Sequence, residues 1–201
     1  MSHDTWIHRI ARVCVRPLRN TSVTPNQLTW ARLSCGVGAA ALLASAHAEW
    51  AIAGCVMFLL SMLLDRADGE LARLTGRTTP GGHRFDLWAD AISDTLIVLA
   101  IGFSQRNGYF GSWAIAMGLL AATCVIVIFV TVLNIDKRLG PGSVMFTATA
   151  GFDPDDFIAV LPLSVIFGFA DWTLAAATVA TPLAAIAVVW HLRKSLHGEH
   201  S

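Results

Sequence analysis

Apolar residues fall in long blocks along this chain, too long for the alternation of a half-buried strand and too uniform for the one-sided stripe of a water-facing helix. A helix that crosses a bilayer needs about 20 mostly apolar residues. Residues 111–133 and 172–192 satisfy this without a single Asp, Glu, Lys or Arg. A third block starts at Thr24-Pro25, an N-cap followed by proline at the first helical position, and runs through the small-residue stretch 34–48 with Arg32 near its start. Three further blocks, 51–64, 95–103 and 157–170 with Pro162 inside, are shorter than a span, and acidic residues flank each on one side. Letting each continue through that flank as one helix resolves the shortfall, because charge at membrane depth is tolerated where it faces a protein-lined cavity. The pattern therefore predicts an all-α membrane protein with six transmembrane helices within residues 21–201.

Residues 1–20 read differently. Trp6, Ile10, Val13 and Cys14 fall on one helical face, and His8, Arg9, Arg12, Arg16 and Arg19 fall around the others. That predicts an N-terminal amphipathic juxtamembrane helix lying on the inner leaflet, with a basic terminus that merely orients the first span as the plainer alternative. Basic residues accumulate in cytoplasmic loops. With the N-terminus inside, the outer turns at 47–49, 104–110 and 168–171 hold only Arg106, and the other thirteen of the fourteen Lys and Arg fall on or near the inner side. Trp50, Trp113 and Trp172 then mark outer helix ends and Trp6, Trp30 and Trp190 inner ones, as interfacial aromatic belts do. Both termini are expected in the cytosol of a multi-pass integral membrane protein, in the inner membrane if the source is bacterial. The stretch 136–156, with Gly140-Pro141-Gly142, is long for a loop, and Asp153-Pro154 reads as a cap and first turn.

Composition narrows the function classes. A chain that is 55% hydrophobic and 14% charged is too apolar for a water-soluble domain, whose charged share runs near ~25%. Equal numbers of acidic and basic residues leave no basic field for nucleic acid. Cys14, Cys35, Cys55 and Cys124 lack metal-ligand or disulfide spacing and read as small packing residues. No apolar stretch near the N-terminus is long enough for a signal peptide, so no cleaved leader is expected.

The chemistry concentrates in one place. Asp65, Asp68, Glu70, Asp86, Asp90 and Asp94, six of the fourteen acidic residues, lie within thirty positions at the inner ends of the second and third predicted spans. An uncompensated carboxylate near mid-membrane costs about 2.5–3.5 kcal/mol, and like charges held together cost more. Asp65 and Asp68 are i, i+3 on one helix face, with Gly69 beside them leaving room for a ligand. Asp86, Asp90 and Asp94 follow at i, i+4, i+8 along one stripe of the next helix, and Glu70 points elsewhere. The connection 74–81 is short enough to fold the helices antiparallel and bring the stripes face to face. Such a cage of hard oxygens suits Mg2+ or Mn2+ rather than zinc. Two such ions can clamp the entering and leaving oxygens of a phosphoryl displacement. Arg73 can set a guanidinium beside a phosphate oxygen, and Asp90, mid-stripe, is the candidate general base.

Read as a string, Asp65-x-x-Asp68-Gly69-x-x-Ala72-Arg73, eight residues, then Gly82-x-x-x-Asp86-x-x-x-Asp90 resembles the signature of the CDP-alcohol phosphotransferases at all eight fixed positions. The Thr-Pro-Asn start of the first span is similar to that family too. The resemblance implies transfer of a substituted phosphate from a CDP-linked donor, CDP-diacylglycerol foremost, to an alcohol, releasing CMP in phospholipid or related synthesis. It implies Asp65, Asp68, Asp86 and Asp90 as ligands of two divalent ions, Asp90 doubling as base, and Arg73 holding the donor phosphate. Gly69 and Ala72 would leave room for the cytidine, Gly82 completes the motif, Asn26 and Thr29 would help bind the nucleotide, and the protein would be a homodimer. At least one substrate would be a lipid.

The acceptor stays open. Asp90-Ala91-Ile92-Ser93-Asp94 has neither the lysine of members using glycerol phosphate nor the continuation of those using serine. Asp94 is similar to members that handle inositol phosphates, although Ala91 stands where those carry arginine. Asp94, Arg84 and Arg138 are candidates for the acceptor site; Lys137, Arg193 and Lys194 serve equally well as orientation signals. Two other classes compete. A Mg-dependent membrane prenyltransferase also uses aspartate-rich helices, and a divalent-cation transporter would bury acids near mid-membrane.

Overall fold

The computed structural model describes residues 6–139 and 158–198; within these, the side chains of 6–10, 48, 139 and 191–198 are not described. Among the described residues the chain is helical with no strand: α1 Trp6–Val15, α2 Pro25–Ala44, α3 Ala48–Thr75, α4 Pro80–Ser104, α5 Trp113–Leu139, α6 Val160–Ile166 and α7 Ala170–Gly198. Short 3-10 turns cover Arg16–Asn20 and Gln105–Asn107.

The predicted start at Thr24-Pro25 and the two ends that meet between α3 and α4 have local causes. Thr24 caps α2 through a full capping box, its hydroxyl accepting from the Gln27 N–H while the Gln27 side chain accepts from the Thr24 N–H, and Pro25 follows. Gly76 ends α3 in the left-handed region at φ 65°, where any side chain would be strained, and the Arg77 N–H returns to the Ala72 carbonyl at 3.1 Å. Thr79 caps α4 by accepting from the Gly82 N–H at 3.0 Å, with Pro80 behind it. The corner between α3 and α4 is thus four residues long, closed by a cap on each side.

Four helical stretches, Glu49–Thr75, Pro80–Asn107, Trp113–Arg138 and Ala170–Trp190, are long and apolar enough to cross a membrane. As expected from the short blocks, α3 continues through Asp65, Asp68 and Glu70, and α4 carries Asp86, Asp90 and Asp94 within its first fifteen residues. α2 has the length for a span, about 30 Å at 1.5 Å per residue. The described part of the block at 157–170 holds the seven-residue α6, and its acidic flank at 153–156 lies outside the described residues. Most of the 136–156 stretch also lies outside them, although Asp136, Lys137 and Arg138 belong to the last turn of α5.

Helix α2 packs on both α3 and α4, and α5 joins α4 to α7. Their core is built from Ala39, Ala40, Leu43, Cys55, Phe58, Ile97, Ile101, Ala114, Ala121 and Leu174. Small residues set the close crossings: a Cβ on Gly102 of α4 would stand 2.9 Å from Gly118 Cα of α5. α1 lies against α3, with Ala11 and Val15 buried and Val15 packed on Ala67 and Leu71, while Val13 and Cys14 are exposed. The side chains of Trp6, His8, Arg9 and Ile10 lie outside the described residues.

The two ends of the bundle differ in chemistry. At one, Tyr109 and Phe110 meet Trp172 at ring separations of 5.4 and 6.2 Å, joining the turn after α4 to the start of α7. At the other, the capped corner, the start of α2 and the end of α5 surround the acidic residues.

Candidate active site

The acidic stripes of α3 and α4 face each other as the spacing requires. Ligand oxygens of Asp65, Asp68 and Asp86 lie within 4.8 Å of one another. Three hard oxygen donors at that separation fit a divalent cation, and the absence of any Cys or His among them argues against zinc. Asp90 stands outside this trio but joins it through a residue that the sequence reading left unassigned.

That residue is Arg32. It lies well inside α2, is only 2% exposed, and places its guanidinium among the carboxylates. Nη1 pairs with Asp65 Oδ1 and stands 3.0 Å from Asp90 Oδ1, while Nη2 reaches Asp86 Oδ1 at 3.1 Å and donates to the Asp86 backbone carbonyl at 2.7 Å. One turn earlier Thr29 donates its hydroxyl to Asp68 Oδ2 at 2.7 Å. Two residues of α2 at i, i+3 therefore contact all four signature aspartates. The signal was present in the sequence, since a charge inside an expected span marks function by default.

Two clefts open on this cluster. One, about 210 Å³, is lined by Asn26, Thr29, Asp68, Gly69, Ala72, Arg73, Gly82, His83 and Asp86. Every residue singled out for the nucleotide side meets here. Gly82 permits the approach, for a Cβ on it would stand 3.3 Å from Asn26 Oδ1. The Arg73 guanidinium lies over Gly69, 3.3 Å from Glu70 Oε1. Glu70 does turn away from the aspartates, as its position on the helix dictates. Its carboxylate is buried and is reached from α1 by Arg12 Nη2 at 3.4 Å.

The second cleft, about 100 Å³, is lined by Arg32, Ser61, Asp65, Arg66, Asp90, Ser93, Asp94 and residues of the core. Asp94 thus shares a wall with Asp90. Arg84 and Arg138 are exposed, and neither lines either of these two clefts. Their place in this cleft is taken by Arg66, mostly buried with Nη1 3.7 Å from Asp65 Oδ2. Residue spacing alone concealed Arg66, because it neighbours Asp65 in sequence and carries no periodic signal of its own. His83 Nε2 and Asp136 Oδ2, 2.9 Å apart, tie the start of α4 to the end of α5 at the margin of the larger cleft.

Comparison with known proteins agrees with this geometry. The chain is 34% identical over 102 residues to the inner membrane protein YnjF of Escherichia coli, covering 50% of this chain and 48% of that protein. It is 40% identical over 88 residues to the archaetidylinositol phosphate synthase of Aeropyrum pernix, 44% of each chain. It is also 33% identical over 138 residues to the phosphatidylinositol phosphate synthase of Corynebacterium glutamicum, 66% of this chain and 60% of the other. The chain spans about half the length of the first two of these curated relatives and 60% of the third. The sequence profile of the CDP-alcohol phosphatidyltransferases matches residues 22–192, a stretch that carries α2 through most of α7 with both clefts and all four aspartates, and the chain belongs to that family.

Proposed function

We propose that this protein is a membrane CDP-alcohol phosphotransferase that moves a substituted phosphate from a CDP-linked donor, CDP-diacylglycerol foremost, to a phosphorylated polyol and releases CMP. The observation that carries this reading is the convergence of Asp65, Asp68 and Asp86 within 4.8 Å, with Asp90 bound into the same cluster by Arg32. Asp65, Asp68, Asp86 and Asp90 would hold two divalent ions, Mg2+ or Mn2+. When bound, those ions would neutralise the pyrophosphate and polarise its phosphorus–oxygen bonds.

The chain's own residues account for the rest. The larger cleft suits the donor: Arg73 holds its phosphate by charge-assisted hydrogen bonds, Glu70 steadies Arg73, and Gly69, Ala72, Gly82, Asn26 and Thr29 shape the wall against the nucleotide. The smaller cleft suits the acceptor, with Asp90, Asp94 and Arg66 along it. Asp90 takes the proton from the attacking hydroxyl as its oxygen bonds to the donor phosphorus and the bond to the CMP oxygen breaks. Arg84 and Arg138 would attract a phosphorylated acceptor toward the mouth rather than line the cleft. A phosphorylated polyol is supported by Asp94 beside Asp90, by Arg66, and by the names of two relatives, which are synthases of inositol phosphate lipids.

The distribution of basic residues supports a cytosolic active site and cytosolic termini, with six spans and α1 at the inner leaflet as residues 1–20 suggest. Family membership supports a homodimer. The test is CMP release by the purified protein in micelles with Mg2+ or Mn2+, CDP-diacylglycerol and inositol phosphate, against CDP-choline and free inositol. Release with the first pair and its loss on chelation are expected. No release with any CDP-linked donor defeats the reading.

A further inference from the structure

Arg32 of α2 is buried among acids from two other helices. Its guanidinium touches Asp65 from α3 and both Asp86 and Asp90 from α4, and it donates to the Asp86 carbonyl as well. The backbone that carries it is pinned in turn, since Ser61 of α3 donates its hydroxyl to the Arg32 carbonyl at 2.9 Å. Two of its three acidic partners, Asp65 and Asp86, belong to the trio whose oxygens are close enough to share a cation. A guanidinium stays charged at every physiological pH, so it relieves the crowding of these carboxylates permanently. It also places a fixed positive charge beside oxygens that a divalent ion would use.

We infer that Arg32 is an internal counter-cation for the carboxylate centre, a positioning residue that holds Asp65, Asp86 and Asp90 together and competes with divalent cations for them. The inference rests on the proposed function in one respect, that the centre takes divalent ions. Two consequences separate it from simple packing. Removing the charge leaves the aspartates repelling one another until an ion arrives, so stability becomes dependent on the ion. Removing the competitor also strengthens ion binding.

The experiment uses the full chain in detergent micelles, stripped with EDTA, dialysed and titrated with Mn2+, with free Mn2+ read by electron paramagnetic resonance and unfolding followed by heating. Arg32→Gln is expected to bind Mn2+ roughly tenfold more tightly than the unsubstituted protein. Its Tm is expected to fall below the unsubstituted value without Mn2+, with the gap narrowing at saturating Mn2+ because the tighter ligand stabilises more. Equal or weaker Mn2+ binding, or a Tm gap that is the same with and without Mn2+, overturns the inference. Arg32→Lys covers the case in which Arg32→Gln cannot be purified: a point charge cannot fork to three carboxylates, so intermediate affinity and Tm are expected, and values equal to the unsubstituted protein overturn it. An unsubstituted protein that binds neither Mn2+ nor Mg2+ defeats the metal-dependent function and this inference together, whereas normal binding with an unchanged Arg32→Gln defeats the inference alone.

Discussion

Thr29 donates its hydroxyl to Asp68 across 2.7 Å, and this bond joins α2 to α3 at the most deeply buried of the four signature carboxylates. A hydrogen bond to a charged acceptor is worth about 1.5–3 kcal/mol. Thr29→Val keeps the shape and removes the donor, so a lower Tm and weaker CMP release are expected, while Thr29→Ser retains most of both. Equal Tm and equal CMP release in Thr29→Val and the unsubstituted protein would show that Asp68 does not depend on this donor.

Asp90 is expected to be needed for turnover rather than for folding. General-base catalysis contributes about 10²–10⁴-fold, and Asp90→Asn should lose a factor in that range in kcat while circular dichroism and membrane insertion stay unchanged. Full activity in Asp90→Asn removes it from the role of base.

Glu70 steadies a side chain that is itself more than half exposed, since the Arg73 guanidinium would otherwise sample many rotamers. Glu70→Gln should therefore raise the KM for the CDP-linked donor with kcat nearly intact. Combined with Arg73→Ala the effects should fall short of additive, because both act on one contact. Additive losses would separate the two residues.

At the α4–α5 crossing, Gly102 and Gly118 approach so closely that any side chain meets backbone. Gly118→Val should cost on the order of 1–3 kcal/mol through overpacking, read as a lower Tm in micelles. A neutral result would mean that the two helices can part without loss.

Much of this arrangement is legible in the chain. Helix starts at Thr24-Pro25 and Thr79-Pro80 are local chemistry, and the aspartate spacing follows from helical period, so the convergence of Asp65, Asp68 and Asp86 is readable before any fold is known. What spacing cannot give is the contribution of a helix forty residues away. Arg32 and Thr29 enter the cluster through the crossing of α2 over α3 and α4, which depends on tertiary packing at Gly36 against Ser93 and at Gly54 against Ala39 and Leu43. Arg66 was hidden for the opposite reason, as it sits next to Asp65 yet turns into the smaller cleft. The basic residues at 84 and 138 show the limit of charge counting, which reports a sidedness and not a pocket.

The tight corner between α3 and α4 makes the motif read like a folded ruler. Asp68 lies eight residues before Gly76 and Asp86 seven after Thr79, while Asp65 and Asp90 each lie eleven from the cap on their own arm. At 1.5 Å per residue these make two rungs, about 10–12 Å and about 16 Å below the bend. Asp68 and Asp86 on the upper rung line the larger cleft, and Asp65 and Asp90 on the lower rung line the smaller one. A residue inserted into one arm alone would turn its remaining length by about 100° and dismantle both rungs at once. The eight-residue gap between Arg73 and Gly82 is, in this sense, what keeps the two clefts at their separate depths.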